Sequence, residues 1–155
     1  MKYLPFIPVL LQLALLGSIA WEDGARYRID PRGTCLLAAA SFPRVIIQPL
    51  LWAESLLTAL LICSALLLLV ALIAARREGF LMGGGDIKLL FALLLNLEAA
   101  RYPLYFGISG LYILFLRFTW PDTKKLPLGP ALCGAAACLL LMGYFATASD
   151  GPPWA

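Results

Sequence analysis

Long apolar runs, parted by only three charged stretches, constrain this chain more than any other feature it has. Read by hydropathy, with about 20 residues per membrane crossing, the runs cover 3–21, 34–50, 51–75, 87–97, 104–118 and 131–148. The polar stretches between them are 22–33, 76–86 and 119–130. The second run is the weakest, because Pro43 and Arg44 interrupt it. The fourth is short, ended by Glu98, Arg101 and Pro103. At 62% hydrophobic and 14% charged, the 155 residues are too apolar for an ordinary soluble domain. They read as one integral-membrane domain over 1–155, an all-α polytopic bundle of about six transmembrane helices.

Basic residues orient such a bundle, since cytoplasmic loops hold an excess of lysine and arginine. With the N-terminus outside, Arg26, Arg28, Arg32, Arg76, Arg77, Lys88, Arg117, Lys124 and Lys125 face the cytoplasm. Only Lys2, Arg44 and Arg101 lie opposite. This topology puts Asp23 and Asp86 on the same, cytoplasmic, face. Ser18-Ile19-Ala20 has the look of a signal-peptide cleavage site. Cutting there would remove the helix that leads to Asp23, so the first span is read as retained.

Composition excludes several chemistries. There is no histidine, hence no Ser-His triad, Cys-His dyad, imidazole metal site or histidine-ligated haem. Cys35, Cys63, Cys133 and Cys138 all sit in apolar runs without a Cys-x-x-Cys pair, and read as small buried hydrophobes. No metal and no cofactor is expected. A net charge of +3 from scattered basic residues gives no nucleic-acid surface.

What remains is acid chemistry. The stretch "FLMGGGDIKLL", 80–90, sets three glycines and Asp86 at the start of a helix. A carboxylate there satisfies free N–H groups and the helix dipole, so a simple N-cap is the plain reading. Capping does not need three glycines, however. Gly83, Gly84 and Gly85 remove bulk and allow another backbone to come close. Asp23, beside Glu22 at the end of the first span, has a plain reading as an interfacial acid. As a pair the two aspartates suggest more. Neighbouring carboxylates cannot both ionise cheaply, so one stays protonated near neutral pH. The ionised member can draw a proton from water while the neutral one donates to a scissile carbonyl.

The stretch Met82-Gly83-Gly84-Gly85-Asp86-Ile87-Lys88-Leu89 resembles the Gly-x-Gly-Asp-x-Lys motif of type IV prepilin peptidases, aspartic endopeptidases of the bacterial inner membrane. In that family the first catalytic aspartate is followed, six and seven residues on, by Ile-Pro or Leu-Pro. Here Ile29 lies six residues after Asp23, and the next position is Asp30, with Pro31 one place later. Leu126-Pro127-Leu128-Gly129-Pro130 resembles the family's Pro-Phe-Gly-Pro segment.

The resemblance implies a GxGD-type aspartyl protease core with Asp23 and Asp86 as catalytic dyad, supported by Gly83, Gly85, Lys88, Ile29, Pro127, Gly129 and Pro130. Lys88 reads equally well as a positive-inside anchor. Glu22 would replace Asp23 only if the alignment slipped by one. The implied substrate is a type IV prepilin or pseudopilin, met in the lipid bilayer, whose short basic leader is cut off at the cytoplasmic face. Pili or type II secretion would be the destination. With about a dozen residues and no cysteine, loop 22–33 fits the short form, which lacks the methyltransferase insert.

Two departures stand out: Asp30 in the proline's place, and the absence of glycine from 89–97. Two other readings compete. Pro130-Ala131-Leu132 matches a segment of presenilin-like intramembrane aspartyl proteases. The Asp30 departure and the interrupted second run would also suit a non-enzymatic or degenerate membrane subunit of a pilus assembly.

Overall fold

In the computed structural model, which describes residues 6–26, 28–74, 84–119 and 128–149, every regular element is helical. Helix α1 (Phe6–Arg26) does not stop with the apolar run at Trp21. It carries on through Glu22 and Asp23 to Arg26, whose charge suits the negative end of the helix dipole. An i,i+4 pair at 3.7 Å, Arg26 with Glu22, lies along the outer face of this last turn.

Asp30 explains its own position. It is the N-cap of α2 (Pro31–Ala39), where its Oδ1 accepts the Arg32 N–H at 3.1 Å. Pro31 follows at the helix start, where the lack of an N–H costs nothing. The departure from the family's Ile-Pro is therefore a cap and a proline in sequence, and both start a helix.

The run 34–50 is not one continuous span. It breaks into α2, a turn at 40–41, and the short α3 (Phe42–Ile47) before α4 (Pro49–Ala74) begins. Pro43 has no N–H to give the Ala39 carbonyl, so a helix continued through 40–43 would lack that bond; the chain turns at 40–41 and restarts with Pro43 in the first turn of α3. Ser41 holds the turn: its hydroxyl donates to the Ala38 carbonyl at 2.7 Å and accepts the Trp52 indole N–H at 3.5 Å. Nine residues make α2 only ~13 Å long, well short of a hydrocarbon core of about 30 Å.

Two helices are long and apolar enough to cross a membrane among the described residues, over Pro49–Ile73 and Ala99–Thr119. Only 11% and 17% of these windows are buried, whereas a soluble core helix would be mostly covered. Leu50, Leu57, Leu61, Leu68, Leu111, Leu114 and Phe118 all point outward. A surface this apolar belongs in lipid.

Helix α5 (Gly84–Asn96) is the opposite case. Leu89, Leu90, Ala92, Leu93, Leu94 and Leu95 are all buried, more than one helical face can hold. It stands inside the bundle, packed by α2, by α4 and by α7 (Leu128–Ser149). Helix α6 (Tyr102–Thr119) follows a single 3-10 turn and packs on α7. At ~20 Å, α5 is short because it is a centre post rather than an outer wall.

Lipid is as apolar as leucine, so burial alone does not drive these helices together. Close packing does, through Ala131, Cys133, Ala135 and Ala136 on α7, all buried. Polar clasps add to it. Gln12 donates to Asn96 Oδ1 at 3.1 Å, and Asn96 Nδ2 donates to the carbonyls of Leu37 (2.8 Å) and Ala92 (2.9 Å). One side chain thus joins α1, α2 and α5. Nearby, the Ser55 hydroxyl reaches the Leu97 carbonyl at 3.1 Å, and the Tyr102 hydroxyl lies 2.9 Å from Leu94 O and 3.0 Å from Ser55 O. All four cysteines are free, with Cys63 and Cys133 buried, Cys138 partly so and Cys35 exposed.

Candidate active site

Because α1 continues past Trp21, Asp23 falls on its buried stripe. Leu16, Ile19 and Asp23 recur at spacings of three and four, the repeat of one helical face. The carboxyl is only 4% exposed, while the neighbouring Glu22 faces outward with Arg26. Of the two adjacent acids, Asp23 is the one turned into the bundle.

Asp23 meets the start of α7. Its Oδ2 accepts the Gly129 N–H at 2.8 Å, a first-turn amide with no partner inside its own helix. Among the described residues this is the one hydrogen-bond donor to the carboxylate. Gly24, next along α1, packs on Pro130, where an added Cβ would lie 3.8 Å from the ring Cγ. Gly129 and Pro130, expected in a loop before the last span, belong instead to the first turn of α7.

Asp86 lies in the first turn of α5, as that helix's third residue, and is half-buried. The glycines do not all precede the helix: Gly84 and Gly85 are inside it, so Asp86 is not its N-cap. Gly85 faces Ile29, whose Cβ would be 3.4 Å from a Cβ placed on the glycine. The residue six positions after Asp23 and the residue before Asp86 are thus neighbours. Gly84 has open space around it. Lys88 is exposed and makes no ion pair among the described residues. Gly83 and Pro127 lie outside the described residues.

Two contacts relate the segments that carry the aspartates. Helix α1 meets α5 at Gln12–Asn96, and the loop after α1 meets the start of α5 where Ile29 faces Gly85. From that first tie it is ~16 Å along α1 to Asp23 and ~15 Å back along α5 to Asp86, at about 1.5 Å per residue. The two lengths agree to within one helical turn. No group of three or more potential metal ligands is found among the described residues.

The profile of the type IV leader peptidase family matches residues 10–118. The chain belongs to that family. It is a leader peptidase-type protease of the membrane, for which the family implies prepilin-type substrates. No curated protein and no solved structure matches the chain. The matched residues include both aspartates and helices α2 to α5, but end before α7, which supplies the amide on Asp23. Membership favours the prepilin peptidase resemblance over the presenilin-like one.

Sequence reasoning missed the parts that give the leader peptidase end its shape. The helical register of Asp23 was legible in the spacing from Leu16 and Ile19, had α1 been carried past the charged residues. Asp30-Pro31 is a cap signal that the family comparison obscured. Nothing in the sequence pointed to the Gly129 N–H.

Proposed function

We propose that this leader peptidase is an aspartic endopeptidase using Asp23 and Asp86. The substrate is a prepilin or pseudopilin whose apolar helix lies in the bilayer and whose basic leader stays in the cytoplasm. One carboxylate takes a proton from a water that attacks the scissile carbonyl, and the other, protonated, donates to the carbonyl oxygen. The proton taken from water then passes to the departing amine. Neither step needs a metal or a covalent intermediate. Gly85 leaves room for Ile29 at the dyad, and Lys88 anchors the interface. The chain crosses the bacterial inner membrane as a bundle of about six helices with its N-terminus outside, α5 being a short inner helix sheltered by its neighbours.

The observation that carries this reading is a buried acid on α1 together with a first-turn acid on α5 whose preceding glycine meets Ile29, six residues after the buried acid. A carboxylate is costly to bury and is kept where it has a task. The decisive experiment incubates the purified protein with a purified prepilin and follows release of the leader. Asp23→Ala and Asp86→Ala should each abolish cleavage. Cleavage by either variant at the wild-type rate removes the dyad. Labelling that finds the two positions on opposite membrane faces does the same.

A further inference from the structure

The bond between Asp23 and Gly129 joins residues 106 apart, on the first and last helices, inside a buried contact. Two features set it apart from a routine helix cap. The carboxylate sits so close to the glycine that a Cβ there would be 2.6 Å from Oδ2, 2.8 Å from Cβ and 3.0 Å from Cγ of Asp23. Real Cβ atoms do not come that near, so only glycine fits while Asp23 keeps its pose. The bond also uses one carboxylate oxygen only. Oδ1 has no donor among the described residues, although an ionised carboxylate can accept on both oxygens.

We propose that Gly129 is a positioning residue for Asp23: its amide N–H pins Oδ2, and its missing side chain lets the carboxylate lie against α7 with Oδ1 turned to the attacking water. This rests on the reading of Asp23 as half of the dyad. Position matters here because a general base works only within hydrogen-bond reach of the proton it takes. A carboxylate at the end of two rotatable bonds would otherwise sample several rotamers. The amide selects one. Pro130 adds to this, since a proline early in a helix pre-sets the backbone of the turn that presents the N–H.

The test compares two alanine substitutions at the same α1–α7 contact. Gly129→Ala places a Cβ onto Asp23, whereas Gly24→Ala places one 3.8 Å from Pro130, an ordinary contact. With a purified prepilin, Gly129→Ala should lower kcat on the order of 100-fold, as expected when a reacting group is shifted by about 1 Å. KM should stay within about threefold, because displacing a reacting group removes an interaction made in the transition state rather than ground-state binding. Gly24→Ala should stay near wild type in both.

A merely structural role is separated by a stability cycle in detergent. Asp23→Gly removes all three atoms that the new Cβ would meet, so Gly129→Ala should lower Tm in the wild-type background and not in the Asp23→Gly background. Should Gly129→Ala fail to fold, recovery of folding in the double variant supports the contact, and continued failure overturns it. Wild-type kcat in Gly129→Ala, with Asp23→Ala inactive, sinks the positioning role alone. Full activity of Asp23→Ala sinks the dyad, and the positioning role with it.

Discussion

The two ends of the bundle handle buried polarity in opposite ways. At one end, Asn96 uses both its amide oxygen and its amide nitrogen on protein partners, and Ser55 and Tyr102 close on nearby carbonyls. A network tied this closely to protein partners stabilises one packing. At the other end, Asp23 is buried with, among the described residues, a single donor on one oxygen. Its remaining accepting capacity is what a polar group needs to handle a water molecule. A polar residue in a membrane bundle therefore says little about function until its partners are known.

The sharpest way to break this contrast is to remove a group from each end and compare activity with stability. Asp86→Ala should cost roughly a thousandfold or more in leader cleavage, the range expected for losing a general acid or base. Its Tm should change little, because the residue is half-exposed in the first turn of α5. Asn96→Ala should do the reverse. It strands Gln12 and the Leu37 carbonyl, at a cost of about 1–2 kcal/mol in thermal or denaturant unfolding, with kcat within about threefold. A large loss of activity in Asn96→Ala would show that the two ends are not separate.

Smaller effects sharpen the picture at the rim. Asp30→Ala removes the α2 cap and should destabilise by about 1 kcal/mol, with a modest drop in cleavage because Ile29 precedes the cap. A complete loss of cleavage would make Asp30 part of the chemistry. Glu22→Gln should be the quietest change. Its pair with Arg26 is solvent-accessible, so about 0.5 kcal/mol is the most it should cost. If Glu22→Gln abolishes cleavage while Asp23→Ala does not, the acids have been assigned in the wrong order.

How much of this was legible beforehand follows from the physics of each part. Helices α4 and α6 were plain, because lipid-facing spans announce themselves by length and apolarity. The motif around Asp86 was equally plain, since three glycines before an acid have little use in a simple span. What could not be read was anything decided by packing. Trp21-Glu22-Asp23 looked like the end of a span, because hydropathy counts charge and ignores register. The run 87–97 looked too short for a crossing, yet α5 is short because neighbours surround it. Gln12 and Asn96 are 84 positions apart and pair only once α1 and α5 have come together. A backbone amide has no letter in the sequence, so Gly129 pointed to a turn and not to an acid.

The pairing of the first helix with the last also has a bearing on biogenesis. The ribosome delivers α1 to the translocon long before α7 exists, so through most of synthesis the acid on α1 has no amide to hold it. On the proposed role of Gly129, proteolytic competence arrives only when the final helix is threaded. On that reading, nascent intermediates stalled before residue 128 should be inert towards a prepilin even though both aspartates have already been translated.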